Sequence, residues 1–489
     1  MKLFSAGFIA SLLASAAATE LLTPDKVEAK IQKDRLSNVL WNFNKIAKDN
    51  GGNRAFGLPG YKASMDFVLE RLVKRFGNKL DTYVQPFTHL FDQTRKIEVK
   101  GPDGKDVFVV SLFYNPATPL PGGISGELVN VPYEEGRGSG CFEDQWKNID
   151  AKGKIALMKR GGCTFADMTI LAKAAGAKAI IFYNNTPGPK YNGATLQAQN
   201  VGKLIPSGLI PLEDGEAWSK RVVAGEKLSV TLIVDSITET RETWNIISET
   251  KAGDKNNVVM LGAHLDGVQA GPGVNDDGSG SAALLEIIEA LIQHSGIKNT
   301  VRFGFWGAEE SGLVGSLYYG SKLSEAEADK IRFYFNYDMI GSIYPEYTVY
   351  SNNDGHKVGA KLLFDYLSAQ GKPAAYSKFG TSSDYVAFLN LGIPSSGLFT
   401  GASATTDPCY HRKCDDFTNI NWDALTVNTK AAARAAATFA LSLDGVPPRT
   451  KTTINPRSRR GVRRAFDIWA DTAEAVEKTH NCGSGDNVY

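Results

Sequence analysis

The spacing of hydrophobic positions changes along the chain, and each change marks an element or a segment. Lys2 precedes a mostly apolar stretch, Leu3 to Ala18, that closes on Ala16-Ala17-Ala18. A charge, a short apolar stretch and small residues form the pattern of a secretory signal. The stretch is short for a membrane span of about 20 residues, so residues 1–18 are expected to be a signal peptide. From 23 to 80 the spacing is helical. Val27, Ile31, Leu36, Leu40 and Ile46 recur at near-helical intervals, as do Met65, Val68, Leu69, Leu72 and Val73. A Gly-rich break separates the two groups.

Between 106 and 235 the pattern shortens. Val107 to Phe113, Lys154 to Lys159, Ala179 to Tyr183 and Leu228 to Val234 read as strands divided by Gly, Pro and Asn clusters, with one helix at Phe165 to Ala175. This predicts a compact inserted domain, mainly β. From 243 to 445 strands alternate with helices. The strands are Val258 to Gly262, Val301 to Trp306 and Phe333 to Phe335. The helices are Ser279 to His294, Leu313 to Leu323, Lys357 to Gln370 and Asp423 to Leu443. Such alternation predicts an α/β fold with a mainly parallel central sheet flanked by helices. The expected organisation is a signal at 1–18, an N-terminal part of the main domain at 19–105, an insertion at 106–235, the rest of the main domain at 236–448, and a basic tail at 449–489. That tail opens on Arg449, Lys451, Arg457, Arg459, Arg460, Arg463 and Arg464 and reads as a solvated linker or as a site of dibasic processing.

Composition narrows the function. Lys plus Arg (54) nearly balances Asp plus Glu (53), leaving a net charge of +1. That gives no electrostatic reason to expect nucleic acid or an anionic membrane as a partner. Five cysteines suit an oxidising compartment without making a disulfide scaffold. Cys409 and Cys414 can close a small loop, Cys141 and Cys163 form the natural second pair, and Cys482 is left over. Asn184-Asn185-Thr186 is a glycosylation sequon.

The chemistry concentrates where the predicted strands end, which is where sites form in open α/β sheets. His264 and Asp266 follow the first strand of the main domain, Glu309 and Glu310 the second, and Asp338 the third. Asp276 and Asp277 stand at the entry to the following helix, and Tyr410 and His411 lie between Cys409 and Cys414. Taken singly, each has a plain reading: a helix cap for Asp276 or Asp277, solvated loop charges for Glu309 and Glu310, a surface imidazole for His411. Taken together, so many carboxylates at one edge would repel and desolvate one another unless cations were present.

The ordered segments Gly262-Ala263-His264-Leu265-Asp266, Gly273-Val274-Asn275-Asp276-Asp277-Gly278-Ser279-Gly280, Trp306-Gly307-Ala308-Glu309-Glu310, Asn336-Tyr337-Asp338-Met339-Ile340-Gly341 and Cys409-Tyr410-His411 resemble the co-catalytic zinc aminopeptidases of the aminopeptidase Y type, which include secreted fungal leucine aminopeptidases. Gly153-Lys154-Ile155-Ala156-Leu157 and Arg160-Gly161-Gly162-Cys163-Thr164-Phe165 resemble the protease-associated domain that this group carries as an insertion. The resemblance covers nearly all of residues 35–445. It implies two Zn²⁺ ions, with Asp276 bridging them, His264 and Asp338 completing one site, and Glu310 and His411 the other. It further implies Glu309 as general base, Tyr410 as oxyanion support, and Asp266 behind the imidazole of His264. The side chains of residues i and i+2 on an extended segment point the same way, so Asp266 can reach that ring.

The implied activity is hydrolysis of the first peptide bond of substrates with a free N-terminus, favouring Leu and other apolar first residues. The enzyme is expected to act as a monomer, outside the cell or in a lytic vacuole. One departure concerns the run Gly380-Thr381-Ser382-Ser383-Asp384-Tyr385, where Ser382 stands at the position some relatives fill with Arg. The competing expectations are a single-zinc glutaminyl cyclase-like transferase on the same fold and a non-catalytic receptor-like homologue.

Overall fold

The computed structural model describes residues 20–188 and 194–450, so the expected signal at 1–18 and the basic run from 451 lie outside the described residues. The expected solvated tail starts too early, however. Arg449 is buried, donates to Asp329 (2.7 Å) and to the carbonyl of Leu391 (3.1 Å), and pairs with Glu325. Its neighbour Thr450 donates its N–H to the Gly392 carbonyl at 2.8 Å.

One sheet runs through the described residues. At its centre the strand Asp254–His264 lies between two parallel neighbours, Asn299–Trp306 and Ile331–Tyr337, and the latter continues in parallel to Ser395–Phe399. The central strand alternates little, because both of its faces are covered. Val259, Leu261 and Ala263 join the core under the helices Lys33–Asp49, Gly278–Leu291 and Trp422–Leu441. Met260 points the other way, to Trp306, Tyr334 and the helices Val314–Lys322 and Tyr385–Asn390. Every residue of Gly278–Leu291 except Glu289 is buried, including Glu286, whose carboxylate accepts the Gln32 N–H at 2.9 Å.

Of the two longest elements the sequence pattern shows only the start of one, Leu228 to Val234. Leu80–Lys100 and Ser229–Thr250 pair antiparallel from Leu80 opposite Thr250 to Lys100 opposite Thr231, with one irregularity between Thr94 and Lys96. The second of these also pairs with Asn299–Trp306 at one end and with Ile124–Val131 at the other. It therefore carries the sheet from the main domain into the insertion. There Ile124–Val131, Ile155–Lys159, Ala179–Tyr183 and Ser207–Ile210 run parallel. Their side chains alternate between two apolar clusters, Ala156, Met158, Ile180 and Phe182 on one face and Ile155, Leu157, Ala179 and Ile181 on the other. The expected strand Val107 to Phe113 reduces to Asp106–Val107, followed by single bridges from Val110 to Leu209 and from Phe113 to Thr195. This segment crosses from the edge of the long ribbon to the edge of the parallel strands, so it pairs with neither for long.

Close packing at the central strand leaves no room at Gly262. A methyl group there would stand 2.1 Å from Tyr334 Oη and 2.5 Å from Trp306 Nε1, and these two side chains are buried and hydrogen-bonded to each other at 3.1 Å. Gly262→Ala is expected to lower stability by about 1–3 kcal/mol, the usual size of an overpacking penalty. The shift in the urea unfolding midpoint measures this, and an unchanged midpoint would contradict it.

Candidate active site

The strand register brings the predicted residues to one level. His264 is opposite Trp306, and Gly262 is opposite Asn336. Asp338, two residues past Asn336, therefore comes level with His264, and Glu309 follows three residues after Trp306. Asp266 lies two residues past His264, but its contacts differ from the expectation. The ring Nδ1 of His264 is 3.1 Å from the Asp266 carbonyl oxygen, whereas the Asp266 carboxylate is 3.8 Å away. Nδ1–H thus donates to the main chain, which leaves Nε2 facing the cavity. The carboxylate of Asp266 instead accepts the backbone N–H groups of Glu309 (3.1 Å) and Glu310 (3.3 Å). It aims the glutamate pair rather than the imidazole. Burial pushes the Asp266 carboxyl up to about 7.

Asp277 is the residue that sequence reasoning undervalued. It caps the helix Gly278–Leu291, as its position in the sequence predicts, accepting from Gly280 N–H at 2.8 Å. Its oxygens also accept the N–H of His264 (3.1 Å) and of Met339 (3.2 Å). One carboxylate thus joins the helix start to the ends of two adjacent strands. Behind it Asp415 accepts the N–H groups of Asn275 (2.9 Å) and Asp276 (3.1 Å), while Asp407 accepts from the side chains of Asn275 (2.6 Å) and Asn419 (2.9 Å). Burial pushes Asp415 up to about 8. Neither Asp407 nor Asp415 stood out in the sequence. The only signal was their position on either side of the Cys409 to Cys414 loop.

The structure joins Cys409 to Cys414, and likewise Cys141 to Cys163 in the insertion. Within the small loop His411 adopts φ 57°, a left-handed conformation uncommon for a residue with a Cβ, and its ring stacks on Tyr410 with centroids 3.8 Å apart. The loop delivers His411 to the far side of Asp276. Asp276 Oδ1 is 3.2 Å from His264 Nε2, and its Oδ2 is 3.0 Å from His411 Nε2. His411 Nε2 is also 3.0 Å from Glu310 Oε2, and His264 Nε2 is 3.6 Å from Asp338 Oδ1 and 3.8 Å from Glu309 Oε2. The six side chains converge. Asp276 stands in the middle, with one group of donors on each side.

This donor set fits divalent cations. Ligand atoms of His264, Asp276 and Glu310 fall within 4.8 Å of one another, as do those of His264, Glu309 and Asp338. Glu310 Oε1 and Asp338 Oδ1 are buried and accept no hydrogen bond, an arrangement that costs free energy unless a cation faces them. Burial alone would lower both imidazoles. The carboxylates outweigh it and drive His264 and His411 well up, Glu309 acting most on the first and Glu310 on the second. Burial likewise opposes ionisation of Asp276, yet its contacts with the two imidazoles bring it below the usual carboxylate range. The centre attracts positive charge from every direction.

The centre opens into a cavity of about 480 Å³. Met339, Phe399, Ala402 and Ala404 give its wall an apolar stretch, and Tyr410 and Ser382 also line it. Ser383, beside Ser382, donates its hydroxyl to Asp338 at 2.6 Å. The expectation of a glycan on Asn184 is set aside, because that side chain is fully buried. A glycan is bulky and needs solvent around it.

Comparison with known proteins places this centre. The sequence profile of peptidase family M28 matches residues 245–436, and that of the PA domain matches residues 124–218. A probable leucine aminopeptidase 2 of Aspergillus fumigatus is 38% identical over 434 residues, covering 83% of each chain. Aminopeptidase Y of Saccharomyces cerevisiae is 33% identical over 446 residues, covering 87% of this chain and 82% of its own. Among solved structures, an aminopeptidase from Aneurinibacillus sp. strain AM-1 superposes with a TM-score of 0.65 at 26% identity, covering 89% of this chain and 98% of that one. BSAP, a zinc aminopeptidase from Bacillus subtilis, gives 0.58 at 27% identity, covering 85% and 94%. Fold and centre together define a metallopeptidase with an inserted PA domain. The chain belongs to peptidase family M28 and is a metallo-aminopeptidase that acts on peptides.

Asp277→Asn would turn one acceptor oxygen into an N–H₂ facing main-chain N–H donors. Leaving a buried donor unsatisfied costs about 1–3 kcal/mol. Urea unfolding of the metal-free chain is expected to show a loss of that size, and wild-type stability would contradict the role given to Asp277.

Proposed function

We propose that the chain binds two zinc ions and removes single residues from the free N-termini of peptides, with Glu309 as the general base. The observation that carries this reading is the divided contact of Asp276, one oxygen toward His264 and the other toward His411. In this assignment His264 and Asp338 would hold one ion, Glu310 and His411 the other, and Asp276 would serve both. Three ligand carboxylates and two neutral imidazoles suit zinc. When bound, the pair supplies an acidified water and a Lewis acid for the scissile carbonyl. A single-ion reading would leave either the His264 or the His411 side of Asp276 unused, and a non-catalytic reading would leave the whole assembled set unused.

The chain's own residues do the rest. Glu309, 3% exposed and aimed by the Asp266 contact to its N–H, takes a proton from the attacking water and returns it to the departing amine. The Tyr410 hydroxyl donates to the carbonyl oxygen as charge develops there. Acidic groups of the cavity, Glu309 among them, hold the α-ammonium group, which restricts cleavage to the first residue. The apolar stretch of Met339, Phe399, Ala402 and Ala404 suits leucine and similar side chains, in keeping with relatives named leucine aminopeptidase. The apolar pattern of residues 3–18 supports export to the exterior or a lytic vacuole. Among the described residues no helix is long and apolar enough to cross a membrane.

Elemental analysis of the purified chain is expected to give two zinc ions. Glu309→Gln should retain both while kcat falls by about 10²-fold or more, the usual size of a general-base effect. A variant that keeps full turnover, or that loses its zinc along with its turnover, would contradict the role of Glu309. Leucyl substrates should be hydrolysed and their N-acetyl counterparts left intact. Equal rates on the two would remove the α-ammonium requirement.

A further inference from the structure

Arg54 lies in the Gly-rich break between the first helices and has no part in the chemistry above. Its side chain is fully buried, and no other lysine or arginine among the described residues is as completely withdrawn from solvent. The guanidinium sits 4.7 Å from the centroid of the Phe43 ring. Its donors converge on three main-chain carbonyls. Nε donates to Pro272 O at 2.9 Å, one terminal nitrogen to Leu265 O at 2.5 Å, and the other to Gly273 O. No carboxylate of the described residues comes within ion-pair distance. A buried cation satisfied only by neutral groups is costly to keep, and its position explains why it is kept. Leu265 directly follows His264, and Gly273 stands three residues before Asp276. The guanidinium therefore closes the base of the loop that separates these two residues. Gly273 fits this closure, with φ 64° and no space for a methyl group, which would stand 2.6 Å from the Asp276 carbonyl oxygen. The charges of Asp266, Asp415, Asp277 and Asp276 act on Arg54 across the loop, so the cation also faces the acidic side of the centre.

We propose that Arg54 is a positioning residue for metal retention: by tying Leu265 to Pro272 and Gly273 it sets the separation of His264 and Asp276, and with it the affinity of the centre for zinc. This rests on the ligand assignment proposed above. A planar fork with five donors can span three carbonyls at fixed spacing, and a single ammonium cannot. Arg54→Lys keeps the charge and loses the span.

The test is competition for zinc between the full chain and a chromophoric chelator, run on the parent, Arg54→Lys, Arg54→Gln and Asp276→Asn, with KM for a leucyl substrate at saturating zinc and the melting temperature of each metal-free form. Arg54→Lys is expected to bind zinc about 10-fold more weakly, the lower end of what loss of a ligand-orienting contact costs. Its KM should stay within about 2-fold, because the cavity wall is untouched, and Arg54→Gln should bind zinc at least as weakly. Phe439→Leu serves as the control. It loosens the core against Phe333 at the opposite ends of the strands, and it should lower the melting temperature without weakening zinc binding. Parent-like affinity in Arg54→Lys would overturn the proposal, as would an equal loss in Phe439→Leu. Failure of both Arg54 variants to fold in zinc-supplemented medium would assign Arg54 to folding alone and overturn it too. Parent-like zinc binding by Asp276→Asn would instead undo the ligand assignment, whereas zinc-deficient Asp276→Asn beside an unaffected Arg54→Lys removes only this inference.

Discussion

Three buried carboxylates that accept main-chain N–H groups hold this centre in shape. Asp277 joins the ends of two strands to the start of a helix. Asp415 holds the segment that presents Asp276. Asp266 holds the backbone of Glu309 and Glu310. Each of these acids accepts at least two main-chain N–H groups, so buried donors that would otherwise be orphaned are satisfied and held in place. The residues that face the cavity are therefore fixed by acids that do not face it. The inner layer gathers its carboxylates around two imidazoles, and that concentration makes it a receptor for cations.

The surrounding fold provides the rigidity that such a layer requires. A sheet covered on both faces, and a helix buried almost all round, leave the strand ends little freedom to relax. His411 is the exception. It arrives on a loop, in a left-handed conformation, and the loop is closed by the disulfide between Cys409 and Cys414 and anchored by Asp407, which accepts the Cys409 N–H at 3.1 Å. Sites on loops need local clamps of this kind because the strands do not reach them.

Much of this could be read from the chain, for physical reasons that differ element by element. The buried parallel strands and the apolar helices produce strong periodicities, and residues at strand ends fall naturally into a common edge. The long ribbon of Leu80–Lys100 and Ser229–Thr250 was largely hidden, because it is half exposed, carries Pro86 and many charged residues, and owes its regularity to the partner strand rather than to its own pattern. Asp266 was placed correctly but given the wrong contact. Alternation along a strand predicts which way a side chain points, not whether a main-chain carbonyl will reach the imidazole first. Asp277, Asp407 and Asp415 look like ordinary caps and loop acids in sequence, and only the fold reveals that their acceptors converge on the backbone of the centre. Asn184 carries a perfect triplet and sits in the core, since a three-residue motif says nothing about burial.

The central claim is that Asp276 is shared between two cation sites of unlike composition. Anomalous diffraction from crystals of the zinc-loaded chain, recorded on both sides of the zinc absorption edge, measures this directly. The account predicts two zinc peaks about 3.5–4 Å apart, one on each side of the Asp276 carboxylate, with His264 at one and His411 at the other. A single peak, or a second peak away from His411, would contradict it.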